Sequence, residues 1–169
     1  MRNMIGLLAL LDAAEGSLET RIRLQKLAYL LAAAGSSQFD LSDFEYHHYG
    51  PYSRSLSDAL RSAVSSELIQ ETDLADPDLK YSKYSYSLTD GGRSIAELFA
   101  DMPQDDINLV KSLKNTDWRA LELAATIHYL EKNSAMSRDQ ALIRAVELKP
   151  KTMHAKSDAI GILDGISLC

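Results

Sequence analysis

The segment from Trp118 to Leu130 most constrains how this chain can fold. Its apolar residues surround a predicted helix instead of forming one stripe along it. A helix that is apolar on every side is buried in the interior of a protein. We therefore predict a central helix from Asp117 to about Lys132.

Helical spacing of apolar residues and capping signals predict further helices along the chain. Those with approximate bounds are 4–14, 21–34, 51–67 and 105–113. Three more are expected to begin after Thr89, at a capping box formed by Ser137 and Gln140, and after Pro150, where Thr152 is the expected cap. The first of these three is predicted to turn three apolar residues inward: Ile95, Leu98 and Phe99.

Two short strands are predicted between these helices. Within 81–88, tyrosines alternate with serines, which is the period of a half-buried strand, and Leu68-Ile69 is short enough to form the other strand. An Asp-rich loop joins them. The sequence therefore predicts a mainly α protein of the α+β class. Its winged-helix-like N-terminal part with a small β-hairpin wing covers 1–102, and a helical C-terminal extension packed on it covers 103–169.

Composition excludes several classes of protein. Hydrophobic residues make up 46% and charged residues 25% of the 169 residues, which is typical of a globular chain and not of a disordered one. The longest apolar run, Met4–Leu11, is far shorter than the ~20 residues of a membrane span. The single cysteine, Cys169, can form no disulfide framework within the chain. We expect a cytoplasmic protein with no membrane partner.

Candidate chemical sites are weak. On an extended strand the adjacent His47 and His48 would point to opposite faces, so we expect one ring packed under the sheet and the other solvated. Ser53 lies near His48 but in no nucleophile motif, and it is better suited to cap the helix that follows. No glycine-rich phosphate loop is present. We expect no catalytic residue, no metal site and no cofactor.

DNA binding is the alternative function, because a helix followed by a wing is a common DNA-binding scaffold. The candidate cations are Arg54, Arg61, Lys80 and Lys83. A modest basic patch could also form from Arg21, Arg23, Lys26, Lys83 and Arg93. The alternative is that these residues are only solvated charges on helix surfaces. Asp58 is spaced to pair with either Arg54 or Arg61. The net charge of −6 and the acidic wing loop disfavour a phosphate backbone.

The segment FEYHHYGPYSRSL, residues 44–56, suits protein docking better. Tyr46, Tyr49 and Tyr52 offer large apolar faces with a polar tip, and Arg54 adds a planar donor beside them. Such residues often make interface hot spots. The alternative, that two of the three tyrosines belong to the core, remains open. Acidic residues at 73–78 would suit a basic partner, such as an RNA-directed toxin.

Three segments in this order and spacing resemble the YwgA-like branch of the Panacea family, also called the SocA-like antitoxin domain. They are RLQKLAYLLAAAG (23–35), FEYHHYGPYSRSLSDAL (44–60) and ELIQE (67–71). The motif residues are Leu24, Gln25, Lys26 and Leu27 on the helix and Tyr49, Gly50 and Pro51 at the turn. Tyr52 departs from the family pattern, which favours an aliphatic residue after Tyr-Gly-Pro. No motif is found after Met102.

This resemblance implies a mostly helical domain. In several members of the family it implies an antitoxin that neutralises a neighbouring toxin by direct contact, and in one relative an adaptor that hands its partner to a protease. Some relatives are associated with phages or defence loci. We therefore expect a non-enzymatic protein-binding module with a protein partner, with homodimer formation left open.

Overall fold

The computed structural model describes residues 1–48, 50–75, 77–78 and 82–166. Over this part the chain is mainly helical with two small antiparallel sheets, which confirms the predicted α+β class. The helices are α1 (Arg2–Ala13), α2 (Arg21–Ala33), α3 (Arg54–Ser65), α4 (Asp90–Phe99), α5 (Gln104–Leu113), α6 (Trp118–Ser134), α7 (Arg138–Leu148) and α8 (Lys156–Gly165). The strands are β1 (Ser17–Glu19), β2 (Glu45–His47), β3 (Gly50–Tyr52), β4 (Ile69–Asp73) and β5 (Tyr84–Leu88). Short 3₁₀ segments lie at Leu41–Asp43 and Pro150–Ala155.

Helix α6 forms the centre of the core, as its sequence predicts. Every residue from 120 to 128 is buried, and the helix packs against α2, α7, α8 and β3. One cluster of buried apolar residues has members on both sides of Met102, including Leu30 and Leu121. The C-terminal helices therefore share a core with the N-terminal part.

The larger sheet has the strand order β1-β5-β4, with both pairs antiparallel. Strands β4 and β5 form the predicted hairpin. Lys80 and Tyr81, the latter predicted to begin the second strand, lie outside the described residues. Strand β1 was not predicted, because three residues are too few to show an alternating pattern. Helix α4 lies so close to this sheet that a Cβ at Gly92 would overlap the carbonyl of Leu68. Glycine, which has no Cβ, permits this approach.

The smaller sheet is a hairpin of β2 and β3, and it corrects the prediction that Pro51 begins a helix. Pro51 lies in β3, and α3 begins at Arg54. The prediction failed because the missing N–H of proline suits a strand position without a ladder bond as well as it suits a first helical turn. Ser53 is the N-cap, as predicted, and its hydroxyl accepts a hydrogen bond of 3.1 Å from the N–H of Leu56.

Two predictions about helix faces and ends were wrong. Leu98 and Phe99 do not face inward, since they are 74% and 65% exposed. The buried residues of α4 are the small Gly92 and Ala96. The prediction was based on the spacing of large apolar side chains and therefore did not consider them. Thr152 does not cap the last helix; its hydroxyl donates to the carbonyl of Lys149 within the 3₁₀ segment.

The capping box of α7 is confirmed, with both of its reciprocal hydrogen bonds present. Thr20 is the N-cap of α2, because its hydroxyl accepts a hydrogen bond from the N–H of Arg23. None of the helices in the described ranges has the length and apolar character needed to cross a membrane.

Candidate functional site

A groove of about 1060 Å³ lies between α2, the β2–β3 hairpin and the first turns of α3. Three of the four residues proposed for docking line it: Tyr46, Tyr52 and Arg54. The fourth, Tyr49, lies outside the described residues. The groove is therefore the site at which the structure brings these predicted residues together.

The two described tyrosines lie on opposite faces of the hairpin. Tyr46 is paired with Pro51, and Tyr52 with Glu45, so the alternation of side chains along a strand separates them. The ring of Tyr46 lies 5.9 Å from that of Tyr129, centroid to centroid, while the ring of Tyr52 lies 5.1 Å from that of His47. Tyr46 is 41% exposed and Tyr52 is half-buried, so neither belongs to the buried core.

The histidine pair also differs from its prediction. Both His47 and His48 are exposed, and their rings lie 4.8 Å apart in an edge-to-face arrangement. They do not point to opposite faces because His48 lies in the turn and not on an extended strand. The rings of the exposed His47 and His48 and the half-buried Tyr52 form a surface group that we call the aromatic cluster. Among the described residues no set of three or more His, Cys, Asp or Glu side chains could hold a metal ion.

Motif residues of α2 bind the backbone of β3 and of the residue that follows it. Gln25 accepts a hydrogen bond from the N–H of Ser53 and donates one to its carbonyl, both at 2.9 Å. The amine of Lys26 donates to the carbonyl of Pro51 at 2.7 Å. Gln25 is 6% exposed and Lys26 is 1% exposed, while Leu24 and Leu27 belong to the core. These four residues of α2 therefore position the hairpin and do not form its exposed surface.

A buried ion pair supports the turn from the other side. The amine of Lys149 lies 2.6 Å from a carboxylate oxygen of Glu122, and both side chains are 5% exposed. Lys149 also donates to the carbonyl of His48 at 2.8 Å. Gly50 has a φ of +83°, and its Cα faces the hydroxyl of Thr126 so closely that a Cβ would overlap it. Helix α6 and the residue after α7 thus determine where the turn lies.

Sequence reasoning missed Glu122, Thr126 and Lys149 because they lie about 70 to 100 residues from the turn that they contact. One signal was present. A carboxylate in the middle of a helix that is apolar on every side must be buried, and a buried carboxylate needs a cationic or hydrogen-bonding partner. That signal indicates a partner without identifying it.

Lys26 has an unusual ionisation state for a lysine. Burial lowers the pKa of its amine to about 7; the negative charge of Glu122 opposes this shift, and the positive charge of Lys149 adds to it. Burial likewise lowers the pKa of His128, whose ring accepts or donates a 2.7 Å hydrogen bond with the hydroxyl of Tyr29. The interior around Lys26 and His128 is therefore an environment in which a charge is costly.

This shift predicts a pH dependence of stability. Between the folded pKa of Lys26, about 7, and the ordinary lysine value of 10.5, the unfolded chain binds a proton that the folded chain does not. The free energy of unfolding should therefore rise with pH in this window, by at most about 1.4 kcal/mol per pH unit. We expect urea unfolding at a series of pH values to show this rise in the wild type and to lose it in Lys26→Met.

Lys111→Met, which removes an exposed lysine, is the matched control and should keep the wild-type slope. The same slope in Lys26→Met and in the wild type would mean that Lys26 is protonated in the folded protein throughout this range.

Half of the cations considered for DNA binding are paired with carboxylates. Arg61 lies 2.6 Å from Asp58, as its spacing predicts, and Lys83 lies 2.6 Å from Glu19. Arg54 is exposed, whereas Lys80 lies outside the described residues. Of the wider patch, Lys26 is buried, and Arg23 donates to the carbonyls of Lys114 and Thr116. The two other members are paired as well, Arg21 with Glu71 and Arg93 with Asp12. These residues do not form one free basic surface.

Comparison with known proteins places the chain in a family. It is 30% identical over 118 residues to the uncharacterized protein YwgA of Bacillus subtilis (strain 168), and the alignment covers 69% of this chain and 68% of YwgA. The chain belongs to the YwgA-like family. No protein-family model matches this YwgA-like chain.

Proposed function

We propose that this YwgA-like protein is a non-enzymatic binding module that neutralises or adapts a partner protein by direct contact. The observation that carries the proposal is the aromatic cluster, of which His47 and Tyr52 line the 1060 Å³ groove together with the exposed Arg54. Aromatic rings and arginine are the residue types that contribute most to protein interfaces. Here the backbone that carries them is held by the buried side chains of Gln25 and Lys26 through hydrogen bonds to Pro51 and Ser53. A backbone that is already fixed loses less entropy on binding.

We further propose that the YwgA-like chain lies within the Panacea, or SocA-like antitoxin, family. The motif residues support this assignment because they act together: Gln25 and Lys26 hold the backbone of Pro51 and Ser53, and Gly50 has the positive φ that favours glycine. An antitoxin of this kind would cover an active or substrate-binding surface of its toxin. A winged-helix-like description of residues 1–102 is part of the same proposal, supported by the order α1, β1, α2, α3, β4 and β5.

The DNA-binding alternative receives less support. Two of its cations, Arg61 and Lys83, already have carboxylate partners, and the wing carries the acidic residues Asp73 and Asp78. A surface of this charge is repelled by phosphates, whereas it would attract a basic protein.

The test is affinity capture of the tagged protein from its native cells with Tyr52→Ala as the variant. Truncating a hot-spot tyrosine typically costs about 2 kcal/mol, or roughly a thirtyfold loss of affinity. We expect the wild type to retain a stoichiometric protein after nuclease treatment, and Tyr52→Ala to lose it without a change in Tm. The matched control is Phe99→Ala, which truncates an exposed aromatic residue on α4 that does not line the groove.

Equal retention by Tyr52→Ala and the wild type would contradict docking at the aromatic cluster. Co-purification of DNA alone before nuclease treatment would favour the DNA-binding alternative instead. In that case Arg54→Ala should reduce the salt dependence of binding, because each phosphate contact contributes to that slope.

A further inference from the structure

The two edges of the β2–β3 hairpin differ in how their backbone groups are satisfied. Pro51 has no N–H, so its pair with Tyr46 cannot be a hydrogen-bonded pair of the antiparallel ladder. The ladder bonds therefore join Glu45 to Tyr52 and His47 to Gly50. It follows that the N–H and C=O of Tyr46 point away from β3, toward the outer edge of β2.

The outer edge of β3 is closed by side chains of α2. Lys26 donates to the carbonyl of Pro51, and the amide of Gln25 bonds both the N–H and the carbonyl of Ser53, as a neighbouring strand would. The outer edge of β2 has no such cover. Within the described part of the chain, β2 pairs only with β3, and all three of its residues are exposed. The backbone of Tyr46 has no hydrogen-bond partner there outside the hairpin.

We propose that this open edge pairs with the same edge of a second copy of the chain. A two-fold axis at Tyr46 would let the two Tyr46 residues exchange both backbone hydrogen bonds in an antiparallel ladder. The result is a four-stranded sheet with the order β3-β2-β2-β3. An exposed strand edge is a ready template for such pairing unless a proline, a bulge or an uncompensated charge protects it. Strand β2 contains no proline, and its one carboxylate, Glu45, meets His47 of the second copy in this register.

The side chains of β2 are complementary to themselves in this register. Glu45 of one copy lies directly opposite His47 of the other, and the reverse pair occurs on the far side of the axis. An imidazole N–H can donate to a carboxylate whether or not the ring is charged. Within the described residues Glu45 has no ion-pair partner, so its carboxylate is available. This self-complementarity selects a second copy over an unrelated strand.

The pairing would place two copies of the proposed docking surface side by side. Tyr52 lies on the same face of the hairpin as Glu45 and His47, so the aromatic clusters of both copies would lie on one face of the four-stranded sheet. The dimer does not depend on the identity of the partner protein.

Analytical ultracentrifugation at chain concentrations up to about 1 mM tests the proposal, because self-association with a Kd in that range is then populated. We expect the mass to rise from that of one 18.7 kDa chain toward that of two. Glu45→Lys should weaken the dimer about tenfold, because it removes the carboxylate that accepts from His47 of the other copy. The swap Glu45→Lys with His47→Glu should restore the dimer.

A second pair of variants separates the backbone from the side chain. Tyr46→Pro and Tyr46→Ala both remove the ring, but only the proline removes the N–H at the open edge. We expect Tyr46→Pro to be monomeric under conditions in which Tyr46→Ala still dimerises, with unfolding curves as the check that both fold. A chain that stays monomeric throughout, or a dimer that Glu45→Lys and Tyr46→Pro leave unchanged, would overturn the proposal.

Discussion

Replacing Glu122 by glutamine is expected to lower the free energy of unfolding by about 3–5 kcal/mol. The carboxylate of Glu122 lies 2.6 Å from the amine of Lys149 in a site where both side chains are 5% exposed. Glutamine keeps the shape and removes the negative charge, so that the positive charge of Lys149 is no longer balanced by it. Such a buried charge costs far more than the net value of the pair. Urea unfolding at neutral pH measures the loss.

Two controls isolate the buried charge. Glu131→Gln removes a carboxylate from the same helix whose partner, Arg138, is partly solvated, and it should cost no more than about 1 kcal/mol. The double variant Glu122→Gln with Lys149→Met removes both charges and should be more stable than Glu122→Gln alone. A loss below about 1 kcal/mol in Glu122→Gln would show that water reaches this pair and screens it.

Replacing Gly50 by alanine is expected to destabilise the protein by about 2–4 kcal/mol. One part of the cost is conformational, because Gly50 has a φ of +83°, which residues with a Cβ rarely adopt. The other part is steric, since the new Cβ would overlap the hydroxyl of Thr126. That hydroxyl cannot easily turn away, because it is buried and donates a 2.8 Å hydrogen bond to the carbonyl of Glu122.

The two parts can be separated by unfolding measurements. Gly50→Ala combined with Thr126→Ala removes the overlap but not the strain, so it should recover part of the loss relative to Thr126→Ala alone. Gly161→Ala is the matched control, since its Cβ would meet no atom within 4 Å in helix α8, and it should be neutral or slightly stabilising. A Gly50→Ala protein as stable as the wild type would mean that the hairpin moves away from α6 at little cost.

Residues close together in sequence accounted for most of the predicted elements. Three predicted features depend only on contacts within a few residues, and the structure contains all of them: the helix that ends before Gly35, the cap at Ser53 and the capping box at Ser137. The hairpin of β4 and β5 was predicted on the same basis, whereas the three-residue β1 was too short to show a pattern.

The candidate site was predicted only in part. The sequence indicated an aromatic segment with a Gly-Pro turn, and the structure shows that Tyr46 and Tyr52 from it line one groove. It did not indicate that these tyrosines lie on opposite faces, because that depends on Pro51 belonging to a strand and not to a helix. Nor did it indicate that Lys26, which was counted among surface cations, would be buried beneath the hairpin.

The sequence by itself determined that α6 is central, because a helix that is apolar on every side has no face to expose to water. It also determined the positions of most caps and turns, which follow from local backbone chemistry. Only the tertiary structure decided which charges are buried together. Lys26, Glu122 and Lys149 come from three distant segments. Their low exposure, the ion pair of Glu122 with Lys149 and the lowered pKa of Lys26 arise when those segments pack around the hairpin.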